Sequence, residues 1–146
     1  MTTSKRIDSA NAAQPIGAYP HARRHGGFLF LSGIGPRTPG GGAIAGVTFD
    51  AAGNISDYDF EAQCHAVFAN VRAVLTSASA SFEDLLDVTV YLVDITRDFQ
   101  TFNRIWSDYF GDNAPCRTTV EVTRLPTPIA IELKCIAAAS TDGAEK

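Results

Sequence analysis

The sequence lacks the features that assign a chain to a membrane, a secretory route or a nucleic acid. No apolar run approaches the ~20 residues of a membrane-spanning helix, and residues 1–14 contain no apolar segment typical of a secretory signal. Lysine and arginine total 12 against 16 aspartates and glutamates, a net charge of −4, so a broad basic face for nucleic acid is not expected. We therefore expect a cytoplasmic protein that binds neither a membrane nor nucleic acid.

Metal-binding and phosphate-binding motifs are also absent. The three histidines, His21, His25 and His65, do not have the spacing of a metal site. The three cysteines form no Cys-x-x-Cys pair, which predicts reduced thiols. The glycine run at 40–42 is not followed by the Lys-Ser/Thr of a phosphate loop. We therefore expect no metal site and no phosphate-binding loop.

The length of 146 residues predicts a single domain, 1–146, with flexible ends at about 1–12 and 140–146. Apolar residues at helical spacing from Phe60 to Leu75 predict a helix, with Ser56 and Asp59 as a capping box. An aromatic stripe predicts a second helix over 96–110. The glycine-rich segment Thr38–Asn54 is expected to be a mobile loop, although a short strand around 43–49 also fits its pattern.

The remaining segments predict strands. The apolar run Phe28–Ser32 is typical of a buried strand, and Val88–Val93 of a strand covered on both faces. Residues 116–133 predict a hairpin, two strands joined by a proline turn. This order predicts an α+β fold in which two α-helices cover one face of a mixed β-sheet. Because the other face has no helix, we expect further subunits to bury it in a closed homo-oligomer.

Two charged residues stand near the ends of the predicted hairpin, Arg117 and Glu132. An arginine can bind a carboxylate through two parallel hydrogen bonds, and a glutamate can hold or deprotonate a water molecule. With no metal motif nearby, this pair predicts hydrolysis of a small acidic molecule. The alternative for each residue is structural: an ion pair at a strand start for Arg117, and one across the sheet for Glu132.

The order of these elements and their motifs resembles the Rid family, the YjgF-like reactive intermediate deaminases. The resemblance extends from about Ala13 to Ala138. It rests on Gln63 and Asn70 in the first helix and on the segments IGAY (16–19), LSG (31–33), DFQTFN (98–103), PCRTTVEVTRLP (115–126) and IEL (131–133).

The resemblance implies a chorismate-mutase-like two-layer sandwich that assembles as a homotrimer, or a multiple of it, with ligand sites in clefts between neighbouring subunits. It implies cofactor-free hydrolysis of enamines and imines, releasing ammonia and a 2-oxo acid from a small carboxylate-bearing substrate. It makes Glu132 and Arg117 catalytic, so we expect them to meet in one cleft shared by adjacent subunits. The substrate-binding residues that it implies are Arg117, Tyr19, Ser32, Thr119 and Asn103.

Some residues depart from the family's common pattern: Cys116, Thr119, Ile34 and Lys134. The loop before the first helix is also longer than in the short members. These departures are more similar to the 2-aminomuconate deaminase branch, which acts in the degradation of aromatic compounds. We therefore expect 2-aminomuconate to be hydrolysed to 4-oxalocrotonate and ammonia. The second carboxylate of this substrate needs a further cation, and the candidates are His21, Arg23, Arg24, Arg37 and Arg124.

Three other functions stay open at this point. One is a broad-specificity deaminase that acts on 2-aminoacrylate-like enamines and imines. Another is a regulatory protein that binds 2-oxo acids without turnover. The third, ribonuclease activity or inhibition of translation, is disfavoured by the acidic charge.

Overall fold

The computed structural model describes residues 3–140; residues 1–2 and 141–146, at the two ends predicted to be flexible, lie outside the described residues. The elements follow in this order: β1 Ser4–Ile7, β2 Ala22–His25, β3 Phe28–Leu31, β4 Val47–Phe49, β5 Ile55–Tyr58, α1 Phe60–Ser77, β6 Leu85–Leu92, α2 Ile95–Phe110, β7 Cys116–Glu121 and β8 Ile131–Ala138. No helix within residues 3–140 is both long and apolar enough to cross a membrane.

Six strands form one mixed sheet in the order β1-β2-β3-β8-β6-β7. Neighbours are antiparallel except for β6 and β7, which are parallel. A parallel pair needs a crossover connection, and α2 supplies it between these two strands. The predicted α+β architecture with a mixed sheet is confirmed.

Alternation along the strands separates the two faces of the sheet. One face, which packs against the helices, includes the buried residues Val88, Val90 and Leu92 of β6 and Leu133 and Cys135 of β8. The opposite face, here called the open face, carries Phe28, Phe30, Glu132, Lys134, Tyr91 and Val120. Phe28 and Phe30 are 48% and 40% exposed, so no element among the described residues covers this part of the open face.

The first helix forms where its pattern predicts. All seven residues of the expected stripe are buried: Phe60, Cys64, Val67, Phe68, Val71, Val74 and Leu75. The predicted capping box is wrong, however. Asp59 alone caps α1 by accepting from the backbone N–H of Ala62 at 3.0 Å, because Ser56 lies in β5 and donates to the carbonyl of Thr48.

The predicted hairpin over residues 116–133 is also wrong. Both strands exist, but β6 lies between β7 and β8, so the two never pair. Alternation identifies a strand and its two faces, but the partner of each strand depends on the path of the chain around α2. Residues 122–130 are therefore a long connection around the end of β6 rather than a tight turn.

Two segments predicted to be flexible carry regular structure. Part of the N-terminal stretch forms β1, which pairs with β2 from Ser4 to Ile7. Part of the glycine-rich segment forms β4, within the region where a short strand was considered, and β4 pairs with β5 as a separate two-stranded ribbon. The ribbon is tied to α2 through the hydroxyl of Tyr58, which donates to Asp98 at 2.5 Å.

Candidate functional site

Glu132 projects from the open face near the start of β8. Its carboxylate lies against the backbone of Gly33: a Cβ added at Gly33 would be 2.9 Å from Oε2. Burial raises the pKa of Glu132, and no charged neighbour or hydrogen bond among the described residues offsets that rise. A half-buried carboxylate of this kind can accept a proton more readily than an ordinary surface glutamate.

Arg117 projects from the opposite face of the sheet, between β7 and α2. Its guanidinium packs on aromatic rings of α2, 5.1 Å from the ring centre of Trp106 and 5.3 Å from that of Phe102. Its Nη2 donates to Oδ1 of Asn103 at 2.7 Å. Burial lowers the pKa of Arg117 from a very high value, so the group stays a cation at neutral pH. The amide and the rings thus hold a guanidinium with further N–H donors at the edge of the sheet.

Thr119 lies on the same face as Arg117. The two residues pair with Val90 and Val88 of β6, whose side chains are buried on the helix-covered face. Its hydroxyl oxygen is buried and has no hydrogen-bond partner within the described part of the chain. Asn103, Arg117 and Thr119 therefore form one group, here called the arginine half-site. Three of the five predicted binding residues thus lie together, and Tyr19 and Ser32 do not join them within one chain.

The two catalytic candidates do not meet within one chain. Arg117 is opposite Val88 of β6, whereas Glu132 is opposite Tyr91. Two strand spacings and three residues along the strand separate their Cα atoms by about 14 Å, and the side chains leave opposite faces. A single ligand can reach both groups only if a second subunit brings its own Arg117 or Glu132 to the first, as the expected shared cleft requires.

Tyr19 and Ser32 lie on the side of Glu132. Both line a small pocket together with Gly33, the residue that contacts the carboxylate of Glu132. The hydroxyl of Ser32 donates to the carbonyl of Pro20 at 2.7 Å, so Ser32 supports the turn that borders the pocket. Tyr19 is 37% exposed, and its ring borders the pocket. We call Tyr19, Ser32, Gly33 and Glu132 the glutamate half-site.

Two of the five candidate cations have structural roles. His21 accepts from the backbone N–H of Ser9 at Nδ1, at 3.0 Å, and its Nε2 is 2.9 Å from the carbonyl of Ala13. This geometry assigns the neutral ring with the proton on Nε2. Arg24 is buried on the helix-covered face, where Nη2 donates to the carbonyl of Ala78 at the end of α1. Neither side chain is placed to bind a substrate carboxylate.

The remaining three cations differ in position. Arg23 lies on the open face and donates to the hydroxyl of Ser4. Arg124 belongs to the exposed connection that follows β7. Arg37 lines the pocket that also contains Tyr19 and Ser32, and its Nη2 donates to the carbonyl of Gln14. Only Arg37 joins the glutamate half-site.

Two buried amides position the glutamate half-site, and both belong to the motifs of the resemblance, which predicts no role for them. Gln63 accepts from the backbone N–H of Ala130 at 2.8 Å, two residues before Glu132. Asn70 accepts from Ala13 and donates to the carbonyl of Gly35 at 2.9 Å. Both are polar residues on the buried side of α1. This pattern could have indicated their role, because a buried amide must find hydrogen-bond partners.

The thiols and possible metal ligands of the described residues suggest no second chemistry. Cys64 and Cys135 are buried, and burial raises the pKa of Cys135 to about 12, as expected for packing thiols. Cys116 is exposed and free on the open face. Within residues 3–140, no cluster of three or more histidine, cysteine, aspartate or glutamate side chains could hold a metal ion.

The sequence is similar to one family model and to proteins of several organisms. The family model described as endoribonuclease L-PSP matches residues 9–139. A RutC family protein of Pyrococcus horikoshii is 40% identical over 131 residues, which cover 90% of this chain and 94% of that protein. A RutC family protein of Synechocystis is 36% identical over 143 residues, 95% and 99% of the two chains.

Solved structures share the fold over nearly the whole chain. The protein YyfA of Yersinia pestis, described as a protein of unknown function of the conserved Rid family, has a TM-score of 0.81 at 30% identity, with 94% and 100% of the two chains covered. Escherichia coli TdcF with bound serine has a TM-score of 0.78 at 30% identity, with 93% and 99% covered.

Proposed function

We propose that this chain, which belongs to the Rid (YjgF/RutC) family, hydrolyses the carbon–nitrogen bond of a small enamine or imine that carries a carboxylate. The products are ammonia and a 2-oxo acid, and no cofactor takes part. The observation that carries this proposal is the pair of half-sites. One offers a braced cation for a carboxylate, and the other offers a half-buried carboxylate that has no ionic partner within residues 3–140.

The two half-sites complement each other only across a subunit boundary. We propose that the open face packs against neighbouring copies in a homotrimer, or a multiple of it, so that Arg117 of one subunit faces Glu132 of the next. Exposed Phe28, Phe30 and Val120 supply the apolar area for such packing. The arrangement places a cation and a proton acceptor on opposite sides of one cleft.

The reaction then needs positioning and proton transfer. Arg117 binds the carboxylate beside the nitrogen-bearing carbon through two parallel hydrogen bonds and thereby fixes the plane of the substrate. The enamine tautomerises to the imine by losing a proton from nitrogen and gaining one at carbon. Water then adds to the imine carbon while Glu132 takes one of its protons and passes it to the nitrogen, which gives a carbinolamine. Glu132 next moves the remaining hydroxyl proton to the amino nitrogen, so that the carbon–oxygen double bond forms, the carbon–nitrogen bond breaks and ammonia leaves. The atoms balance as imine plus water giving 2-oxo acid plus ammonia.

Within this class we propose 2-aminomuconate as the substrate and 4-oxalocrotonate as the product. The support comes from the residues that depart from the common family pattern, Ile34, Thr119 and Lys134, and from the ribbon β4–β5 in the longer loop. The competing substrate is a 2-aminoacrylate-like imine with one carboxylate. Ammonia release measured with both compounds separates them, since a large preference for the small imine would contradict the 2-aminomuconate proposal.

Mixed oligomers test the shared site directly. Arg117→Ala should chiefly raise KM, and Glu132→Ala should chiefly lower kcat, because the first residue binds and the second transfers protons. Co-expressed chains of the two variants, purified through two different tags, should regain activity. A cyclic trimer containing both kinds of chain has one intact Arg117–Glu132 pairing, so about a third of the parental activity is expected.

The first control is each variant purified alone. The second control is a mixture of the two purified variants under conditions in which they do not exchange subunits. A mixed oligomer as inactive as either variant would contradict a site shared between subunits. A parental protein that binds 2-oxo acids but releases ammonia no faster than the spontaneous reaction would instead favour the regulatory binding protein.

A further inference from the structure

We infer that Arg37 binds a second carboxylate of the substrate and so selects dicarboxylic over monocarboxylic enamines and imines. The inference deepens the proposed function and rests on it for the position of the reacting carbon. It starts from the pocket beside Glu132, where Arg37 is the only lining residue with a permanent charge among those that the structure describes.

The backbone of Arg37 is held firmly although it stands at the root of the long segment before α1. Its carbonyl accepts from Nδ2 of Asn70 at 2.7 Å, and Asn70 is 3% exposed. Arg37 also pairs with Ile44 in an isolated bridge. Because both contacts hold the backbone of Arg37 itself, its side chain projects from a fixed position rather than from a mobile loop.

The guanidinium of Arg37 has one protein acceptor and no acidic partner among the described residues. Nη2 donates to the carbonyl of Gln14, and the ion pairs within residues 3–140 join Arg6, Arg97 and Arg104 to acids, not Arg37. A planar guanidinium has five N–H donors, so one bond to a carbonyl orients the group and leaves donors for a carboxylate.

Arg37 and the carboxylate of Glu132 have a common neighbour in Gly33. Its pocket is shared with Tyr19 and with Gly33, and Gly33 contacts the carboxylate of Glu132. A substrate held at its near carboxylate by Arg117, with its reacting carbon beside Glu132, would direct its far end into this pocket. The other polar wall residues, Ser32 and His21, already donate to backbone carbonyls.

Lys134 is the main rival for this role. It lies two residues after Glu132 on the same face, and its ammonium donates to the carbonyl of Leu31. Lys134 is not among the residues that line the pocket of Arg37. We therefore assign the far carboxylate to Arg37.

Substrate selectivity in matched variants tests the assignment. The measured quantity is kcat/KM for 2-aminomuconate divided by kcat/KM for a monocarboxylic imine, each generated in situ and followed by ammonia release. Arg37→Gln should lower this ratio ~10-fold or more, the usual loss when a charged hydrogen bond is removed, and Arg37→Lys should restore part of it. Arg104→Gln, which removes an exposed cation paired with Glu61 on the helices, should leave the ratio unchanged.

A binding measurement keeps the test independent of turnover. The affinity of a saturated six-carbon dicarboxylate, compared with the six-carbon monocarboxylate by calorimetry, should lose its preference for the diacid in Arg37→Gln. An unchanged preference, or a loss that instead follows Lys134→Gln or Arg124→Gln, would overturn the role of Arg37. If the parental protein turns over neither substrate but binds the diacid through Arg37, the deaminase proposal fails while this inference stands.

Discussion

The carboxylate of Glu132 lies directly on the backbone of Gly33, at a distance that leaves no room for a side chain. A Cβ at Gly33 would be 2.9 Å from Oε2 and 3.0 Å from Cδ of Glu132. Gly33 also lines the pocket that contains Tyr19 and Ser32, so the carboxylate lies next to one residue of the pocket wall.

Gly33→Ala should therefore lower kcat strongly and change the thermal stability little. The new methyl group displaces the carboxylate from its place, and we expect kcat to fall ~10-fold or more, as when a catalytic group is misplaced by a fraction of an ångström. Steady-state ammonia release gives kcat, and thermal unfolding gives stability. The matched control is Gly27→Ala, since a Cβ at Gly27 has no atom within 4 Å. Equal kcat for the two variants would show that the contact does not matter.

The raised pKa of Glu132 predicts a pH dependence for both activity and stability. If Glu132 acts as a base, the acid limb of the kcat/KM profile should report a pKa above about 4.3, the ordinary pKa of a glutamate. This limb should disappear in Glu132→Gln. For stability, a native carboxyl that binds its proton more tightly than the unfolded one loses stability as pH rises through the raised pKa. The stability gained by Glu132→Gln should therefore grow from pH 4 towards pH 7. A gain independent of pH would contradict the raised pKa.

Tyr58→Phe should destabilise the protein through Asp98. Asp98 is 2% exposed and accepts from the hydroxyl of Tyr58, and burial is the main reason that its pKa is raised. Removal of the donor should lower the free energy of unfolding by roughly 1–3 kcal/mol at neutral pH. The loss should shrink in acid, where Asp98 is protonated. Tyr109→Phe removes an exposed hydrogen bond to His65 and should cost less in the same denaturation series.

Ser79→Gly should stabilise the end of α1. Ser79 has a φ of +60°, and the neighbouring Ala80 donates back to the carbonyl of Leu75, the pattern of a helix end that favours glycine. We expect the free energy of unfolding to rise by roughly 0.5–1 kcal/mol. Ser107→Gly, an exposed position inside α2, should lower it by a similar amount. A loss of stability at residue 79 would argue against the left-handed conformation.

Phe30→Asp should dissociate the oligomer. Phe30 is 40% exposed on the open face, and a charge there would be buried without a partner in the proposed assembly. Sedimentation should show a monomer that has lost its deaminase activity, because each proposed site needs two subunits. Phe49→Asp is the matched control, since Phe49 is 48% exposed in the ribbon β4–β5, away from the sheet. An intact trimer for Phe30→Asp would place the assembly surface elsewhere.

Much of this protein could be predicted from residue patterns. Seven apolar residues at helical spacing determine α1 and its buried face, since a helix with one apolar stripe has only one face to bury. Alternation in β6 and the aromatic stripe of α2 act in the same way. The motifs around Arg117 and Glu132 identified the family, because short segments in a fixed order are a property of the chain itself.

Only the tertiary structure shows which segments lie next to each other, because local sequence patterns do not contain this information. Strand pairing depends on the path of the whole chain, so only the fold shows β6 between β7 and β8 and places Arg117 and Glu132 on opposite faces. The positions and partners of the five candidate cations were equally invisible in the sequence, because each is simply a positive charge until its neighbours are known. Contacts such as the carboxylate of Glu132 on Gly33 arise between segments about a hundred residues apart, and only folding brings such segments together.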